Sequence, residues 1–341
     1  MNRYPDHPTL PSYRVSVAPM MEYTDRHYRY FLRRITRCAL LYTEMITAAA
    51  IIHGDRDRLL GFHSHEHPLA LQIGGDDPAA CAESVRIASR YNYDEYNLNV
   101  GCPSDRVQEG AFGACLMADP HKVARITRAM KDATDRPVTV KHRIGINGRE
   151  SYDQMRSFVE TVAEAGADRL IVHARIAVLG GLSPKENRSI PPLRYHDVYR
   201  LKRELPQLTI EINGQIATAE QMRGHLNHVD GVMIGRAAYD NPWLFADVDR
   251  EFFGRQHEAT SRGAVIEQMI PYIEQLRSDT GKHPRAVLRH MLGLFAFQSG
   301  ARRWKQQLSG PIDHDVDIVA LLNRAIAALP DDVLDRVPAA E

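Results

Sequence analysis

One cysteine stands where an alternating apolar segment ends. The run Asn97 to Ser104 has the sequence NLNVGCPS, and its alternating apolar positions predict a buried strand just before the thiol. Gly101 allows the chain to turn and Pro103 stiffens the next step, so Cys102 is held at the strand end. A thiol in that position is suited to act as an acid or a nucleophile. A free cysteine is also commonly a small buried hydrophobe, and this segment alone leaves both interpretations open.

Polar side chains close other apolar segments in the same way. Gln72 ends one segment, Lys141 lies near the end of another, and His173 ends a third. An amide and an ammonium are the groups that hydrogen-bond a flavin ring and stabilise its anionic reduced form. Lys141 could equally form a salt bridge, and His173 could be a structural histidine.

Two glycine-containing turns follow the last two apolar segments. They are Asn213-Gly214-Gln215 and Gly235-Arg236. In phosphate-binding barrels, backbone N–H groups at these two places hold the anion. Either turn alone could be an ordinary tight loop, but the pair together with the cation of Arg236 favours a phosphorylated cofactor.

The elements that must position these residues alternate along the chain. Helical spacing separates eight short apolar segments, a pattern typical of a (β/α)8 TIM barrel with a closed parallel sheet. The barrel places the side chains above at the carboxyl ends of its strands, whereas a doubly wound sheet is the competing fold. The eight segments are 14–18, 39–45, 69–73, 94–100, 137–143, 169–173, 208–213 and 229–234.

The βα rhythm stops after Gly254, and three helical patterns follow at 264–276, 284–297 and 316–328. We therefore expect a barrel domain at 1–254 and a C-terminal α-helical domain at 255–341. Residues 281–310 contain six Lys or Arg and no Asp or Glu, with Trp304 among the cations. This mixture suits a nucleic-acid backbone, although a solvated helix face has a similar composition.

Composition excludes several classes of protein. Lys plus Arg and Asp plus Glu both number 43, so a polyanion could bind only at a local basic patch. The four cysteines are far apart, which argues against disulfides and a zinc cluster. No leader-like or membrane-length apolar run is found, and no zincin, hydrolase or Walker motif. We expect a cytoplasmic protein with no metal and no membrane partner.

Taken together, these motifs resemble the tRNA-dihydrouridine synthases over about residues 14–310. The string GLSPKENR from Gly181 to Arg188 is similar to the A branch of that family. The other motifs that carry the resemblance are Ala18-Pro19-Met20, Leu71 to Gly75, Asn97 to Ser104, Val140 to Arg143, His173-Ala174-Arg175, Asn213-Gly214 and Val232 to Arg236.

The resemblance implies a flavoenzyme with tightly bound FMN and NADPH as reductant. It would reduce the C5=C6 bond of D-loop uridines in tRNA, at position 20 and also 20a. Cys102 would be the catalytic proton donor, and Asn99, Lys185, Arg188, Arg302 and Lys305 would bind tRNA. The residues implied to bind FMN are Pro19, Met20, Met21, Gln72, Lys141, His173, Asn213, Gly214, Gln215, Gly235 and Arg236.

The implied chemistry agrees with the residues. In the implied reaction the flavin would supply a hydride to C6 of the uracil, and the Cys102 thiol would give a proton to C5 on the opposite face, because an unperturbed thiol is mostly protonated at neutral pH. The base must be flipped out of the folded tRNA, which costs a few kcal/mol that phosphate contacts offset.

Three positions depart from the family pattern. Gln215 stands where relatives commonly have a second glycine, which could alter phosphate packing. Ile176 and Val178 stand where a lysine and an aromatic residue are expected, which could alter the grip on tRNA. None of these departures involves Cys102.

Two other functions stay open at this stage. An FMN barrel could act on a free pyrimidine or another small enone, although the basic helical segment disfavours that. An RNA-binding module on an inactive barrel would need neither the thiol nor the flavin motifs. The sequence leaves any protein partner unknown, and we expect a monomer.

Overall fold

The structure is a computed structural model that describes residues 10–105, 107, 110–255, 260–327 and 329–337. Within these residues, no helix is both long and apolar enough to cross a membrane. Part of the predicted helix 316–328 and parts of the two predicted domains fall outside the described residues.

A single parallel sheet forms the larger part of the fold. The described residues contribute nine strands, all paired in parallel, in the order β1-β9-β8-β7-β6-β5-β4-β2, and β3 also pairs with β4. A parallel bridge between Ser16 and Leu40 joins the first strand to the segment before the second. The predicted barrel is therefore confirmed. The strands are β1 Val15–Val17, β2 Leu41–Tyr42, β3 Ile46–Thr47, β4 Leu69–Gly74, β5 Glu95–Val100, β6 Val138–Ile146, β7 Arg169–Ala177, β8 Ile210–Asn213 and β9 Gly231–Ile234.

The predicted strand 39–45 contains only the short strand β2, and a second short strand, β3, begins just after its predicted end. Both β2 and β3 pair with β4, and Thr43 lies between them. The Thr43 side-chain hydroxyl accepts the backbone N–H of Gln72 at 3.1 Å and donates to the Glu44 carbonyl at 2.7 Å. The Thr43 N–H also donates to the Ala70 carbonyl at 2.9 Å, and residues 43–45 separate the two short strands.

Helices follow the strands, and side-chain caps mark where several begin. Asp77 and Asp119 each accept a backbone N–H three residues ahead, and a proline occupies the next position, which suits a first helical turn. The helices include Arg26–Leu32, Ala48–His53, Arg56–Leu60, Pro78–Ala88, Pro120–Lys131, Tyr152–Glu164, Tyr195–Glu204, Ala219–Leu226, Arg236–Asp240, Val248–Phe253, Arg262–Thr280, Arg285–Met291, Ala301–Ser309, Ile318–Ile326 and Asp331–Asp335.

A buried ion network lies inside the barrel near the start of its strands. Arg169 is 3% exposed and binds Glu95 at 2.7 Å and Glu211 at 2.8 Å. The Tyr42 hydroxyl donates to Glu95 at 2.7 Å, and the Ser16 hydroxyl donates to Glu211. Every charge in this network is paired and hydrogen-bonded, which is the condition for burying charges in a core.

The chain divides into two compact units. One contains Pro11–Met21 and Leu40–Gly235, which holds the strands of the barrel. The other contains Glu22–Ala39 and Arg236–Glu341, together with residue 10. The second unit is helical in its described residues, and Asp25 accepts hydrogen bonds from Arg289 at 2.6 Å and pairs with His290. The division that we predicted after residue 254 stays a prediction.

Two expectations for the basic segment were wrong. The predicted helix 284–297 ends at Met291, and a series of turns follows it. Trp304 is fully buried, its indole N–H donates to the Met291 carbonyl at 3.0 Å, and its ring meets Phe295 edge-on at 4.8 Å. Because Trp304 fills the core of this unit, its ring is not available to a nucleic acid.

Candidate active site

The predicted site residues of the barrel strands lie in neighbouring strands, but β6 and β7 extend beyond the predicted ends at 143 and 173 to Ile146 and Ala177, so Lys141 and His173 lie within these strands. Gln72 is in β4 and Cys102 follows β5, while Lys141, His173 and Asn213 lie in β6, β7 and β8. Neighbouring strands place Gln72 beside Asn97, Asn99 beside Lys141, and His173 beside Asn213. Parallel strands of a barrel end at one face, so these side chains share one mouth.

The Cys102 loop is held by one asparagine. The side-chain oxygen of Asn99 accepts the backbone N–H of Gly101 at 3.1 Å and that of Cys102 at 3.0 Å. The Cys102 carbonyl accepts the N–H of Ala114 at 2.9 Å, and its partly exposed thiol lies 3.5 Å from the Ser104 hydroxyl. Hydrogen bonds therefore fix the backbone at Cys102, a residue that is partly exposed.

Asn99 is itself oriented by a chain of buried amides. Its nitrogen donates to the Gln72 oxygen at 2.8 Å, and the Gln72 nitrogen donates to Asn97 at 2.8 Å. Asn97 donates in turn to the Thr139 hydroxyl at 2.9 Å. These contacts use the side chains of both Asn99 and Gln72 within the barrel. The role of Asn99 with tRNA and that of Gln72 with FMN stay predictions. This series of hydrogen bonds therefore connects three strands, β4, β5 and β6, to the Cys102 loop.

Two neighbouring groups at the mouth have shifted pKa values. Burial, with the nearby Arg143 guanidinium, lowers the pKa of Lys141 to about 8, and its ammonium lies 3.3 Å from the Asn213 oxygen. Burial also lowers the pKa of His173 well below its ordinary value, and the cations of Arg143 and Lys141 add to that effect. His173 is therefore neutral at physiological pH, whereas Lys141 titrates close to it.

Arg143 is a residue of this region to which sequence reasoning assigned no role. Its Nε donates to the Gly101 carbonyl at 3.0 Å, and one terminal nitrogen donates to the carbonyls of Ile176 at 3.0 Å and Asn187 at 2.9 Å. Burial lowers its pKa to about 10. Arg143 thus ties the cysteine loop to the loop after β7. Its place in the VKHR motif was visible, but its backbone partners were not.

The turn after β8 needs left-handed backbone at two successive residues. Gly214 has a φ of 138°, and a Cβ there would stand 2.9 Å from the Leu193 side chain. Gln215 is exposed with a φ of 51°, a conformation that costs a residue with a side chain about 1–2 kcal/mol. This cost is the physical reason why glycine suits the position that Gln215 occupies here.

Gly235 differs from Gly214, because its φ is not positive and its backbone conformation therefore does not require a glycine. Among the described residues, no atom beyond the chain neighbours lies within 4 Å of the place where its Cβ would stand. Space beside the backbone, together with a neutral imidazole and an ammonium at the same barrel end, fits a phosphorylated ring cofactor such as FMN. Arg236, which is exposed and starts the next helix, belongs to the other unit.

The remaining FMN candidates follow β1. Pro19 and Met20 are partly exposed, and Met21 is 55% exposed, an unusual state for a large apolar side chain. Met20 packs against the core cluster at this end of the first strand. Among the described residues, no group of three or more His, Cys, Asp or Glu side chains is arranged to hold a metal ion.

The predicted tRNA residues of the barrel lie in the loop after β7. Lys185 is exposed and Arg188 is partly buried. Buried Asn187 organises the loop, because its oxygen accepts the Val178 N–H at 2.7 Å and its nitrogen donates to the Val178 carbonyl at 3.0 Å. The loop therefore presents Lys185 from a defined scaffold, while Val178, one of the departures from the family pattern, forms part of that scaffold.

The other two predicted tRNA residues lie in the helical unit. Arg302 and Lys305 are exposed on the helix Ala301–Ser309, and Arg303 is exposed between them. The opposite side of this helix is anchored by buried Trp304 and Leu308. The cations therefore project from a helix that the core holds in place.

Comparisons with known proteins point to one family. Residues 16–329 match the family described as "Dihydrouridine synthase (Dus)". The chain is 60% identical to a tRNA-dihydrouridine(20/20a) synthase of Synechocystis sp. over 295 residues, which cover 86% of this chain and 88% of that protein. It is 52% identical to the protein of the same name from Pseudomonas putida, over 94% of this chain and 95% of that one. It is 53% identical to the one from Escherichia coli O6:H1, over 89% and 91%.

Proposed function

The chain belongs to the dihydrouridine synthase family, and on that premise we propose that it is an oxidoreductase that forms dihydrouridine at positions 20 and 20a of tRNA. The observation that carries the proposal is the Cys102 loop at the barrel mouth. There a partly exposed thiol is fixed through two backbone N–H groups by Asn99. A positioned acid beside a cationic, partly buried surface suits reduction of a polarised double bond.

FMN and NADPH are the proposed cofactor and reductant. When bound, FMN supplies the hydride that reduces the C5=C6 bond of the uracil, with its electrons drawn from NADPH. Asn213, Gly214, Gln215, Gly235 and Arg236 would hold the phosphate. Pro19, Met20, Met21, Gln72, Lys141 and His173 would surround the ring.

Cys102 would protonate C5 of the uracil in this proposal. The bonds from Asn99 and Ala114 restrict the loop on both sides of the cysteine, which lowers the entropic cost of aligning the thiol with the base. Neutral His173 and the ammonium of Lys141 would favour charge that develops on the uracil oxygens, because both can donate hydrogen bonds there.

tRNA would bind to cations on both units. Lys185 and Arg188 in the loop after β7, and Arg302 and Lys305 in the helical unit, would contact its phosphates. Asn99 would meet the flipped base from the barrel mouth. A tRNA substrate makes the cytoplasm the proposed compartment, and we propose that the enzyme acts as a monomer.

The test of the function is mass mapping of tRNA that lacks dihydrouridine, after incubation with the purified protein and NADPH. We expect the mass of two added hydrogens at uridine 20, and also at 20a where a uridine stands there. Protein confirmed to carry FMN that leaves this tRNA unchanged would contradict the proposal. It would then favour a free pyrimidine or another small enone as the substrate.

The basic helix supplies a second prediction. Arg302→Ala and Lys305→Ala should each weaken tRNA binding and reduce the slope of log K against log [salt] by about 0.7–0.9, because each removes one phosphate contact. The measurement is a titration of labelled tRNA at several salt concentrations. Arg324→Ala, at an exposed arginine of the acidic C-terminal segment, is the matched control and should leave the slope unchanged. A slope that stays the same in all three variants would mean that the basic helix is only a solvated face.

A further inference from the structure

One aromatic side chain of the helical unit is almost fully in solvent. Phe297 is 91% exposed, and its φ of 63° lies in the left-handed region. An exposed ring contributes no burial, and left-handed backbone is unfavourable for a bulky residue. Neither packing nor backbone conformation therefore explains a phenylalanine at this position, where glycine would be the more stable choice.

The surrounding core holds Phe297 in that conformation. The N–H of Ala296 donates to the Gly293 carbonyl at 2.9 Å, and the N–H of Gln298 donates to the Phe295 carbonyl at 3.1 Å. Phe295 is fully buried against Trp304. Buried Phe295 therefore anchors the turn in the core, and the ring of Phe297 is directed into solvent. Strained residues that the surrounding structure maintains occur preferentially at functional sites.

The turn leads directly into the basic helix. Ala301, the first residue of the helix Ala301–Ser309, donates its N–H to the Gln298 carbonyl at 3.2 Å, so Phe297 lies just before the helix begins. The first turns of that helix expose Arg302, Arg303 and Lys305. Residues 281–310 contain no acidic residue, so this surface is complementary to phosphates and not to a basic partner.

We propose that Phe297 is a stacking platform for an unpaired base of the bound tRNA, with the neighbouring cations holding the phosphates on either side of that base. This inference rests on the proposed tRNA substrate and adds a contact that charge alone would not supply. Aromatic rings beside basic residues bind single-stranded segments by stacking on bases, and every base has a face that can stack. The contact with nucleic acid that we predicted for the ring of Trp304 is thus assigned to the ring of Phe297 in the same segment.

The test compares tRNA affinity in three variants of the full chain. Phe297→Ala and Phe297→Gly should weaken binding by about 5- to 100-fold, whereas Phe297→Trp should retain it. Because no charge is removed, the plot of log K against log [salt] should shift to lower K with the same slope. In Arg302→Ala, by contrast, the slope itself should change. Val319→Ala, at a 41% exposed apolar residue of the same unit, is the matched control and should bind as the unchanged protein does.

A melting experiment separates this role from a structural one. Phe297→Gly should raise the melting temperature, since glycine tolerates the left-handed backbone, while it lowers the affinity for tRNA. The tryptophan of Phe297→Trp should also lose fluorescence when tRNA is added. Equal affinity of the unchanged protein and Phe297→Ala would overturn the inference and favour a protein ligand for the exposed ring. Failure of the unchanged protein to bind any tRNA would instead contradict the proposed function.

Discussion

Cys102→Ala is expected to slow dihydrouridine formation by about 10²- to 10⁴-fold, the usual effect of losing a general acid. The loop should keep its shape, because Asn99 holds it through the backbone N–H groups of Gly101 and Cys102 and not through the sulfur. FMN content should also be unchanged. The measurement is single-turnover reoxidation of the prereduced enzyme by tRNA, in parallel with the absorbance of the bound flavin.

Cys115 provides the matched control for that experiment. It is another partly exposed cysteine of the barrel unit, and its thiol donates to the Phe112 carbonyl at 3.0 Å. Cys115→Ala should turn over at the rate of the unchanged protein. If Cys102→Ala reoxidised at that rate as well, Cys102 would not be the acid, and the thiol would be only part of the barrel wall.

Arg169→Met should lower the free energy of unfolding by about 3–5 kcal/mol, the usual cost of removing one partner from a buried ion pair. The change keeps most of the side-chain volume but leaves the carboxylates of Glu95 and Glu211 in the core without their guanidinium. Denaturant unfolding monitored by circular dichroism measures the loss. Arg200→Met, which breaks an exposed pair with Glu204, is the matched control and should leave the free energy of unfolding nearly unchanged.

The loss in Arg169→Met should depend on pH. Burial raises the pKa of Glu211 above its ordinary value of 4.5 in the intact protein, and Arg169 opposes that rise. A carboxyl group with a raised folded pKa favours the folded state when protonated, and that contribution disappears as pH rises through the folded pKa. Without Arg169 the pKa of Glu211 should rise further. The loss of unfolding free energy in Arg169→Met should therefore be largest near neutral pH and smaller in acid. A deficit of the same size at pH 4.5 and pH 7 would contradict this account.

Local patterns were sufficient to predict much of the barrel. Period-two apolar segments separated by helical spacing predicted the parallel sheet, and polar residues at the ends of those segments predicted a site at one face. The placement of Cys102, Lys141 and His173 toward that face could be predicted in this way because a barrel brings the ends of its strands together whatever the intervening sequence. The gap between β2 and β3 was not predicted, and the bond from the Gln72 N–H to the Thr43 hydroxyl beside that gap joins residues distant in sequence.

Partners that are distant in sequence were beyond the reach of such patterns. Arg143 contacts Gly101, Ile176 and Asn187, and nothing local distinguishes it from an exposed cation at the end of a strand. The prediction that Trp304 faces a nucleic acid was wrong for a related reason. A tryptophan among cations is expected at the surface, and only the folded structure shows that it packs on Phe295. In both cases burial, which is a property of the folded chain, decides the role.

The sequence by itself determined the kind of fold, the family and the position of the thiol, because these depend on periodicity and on motifs that are continuous in the chain. The tertiary structure decided which groups position the cysteine, as in the bond that Asn99 donates to Gln72 and the bond that the Cys102 N–H donates to Asn99. It also decided that burial lowers the pKa of His173 and that Phe297, not Trp304, is the exposed ring. Hydrogen bonding and desolvation depend on neighbours from other strands and helices, and only the folded chain brings those neighbours together.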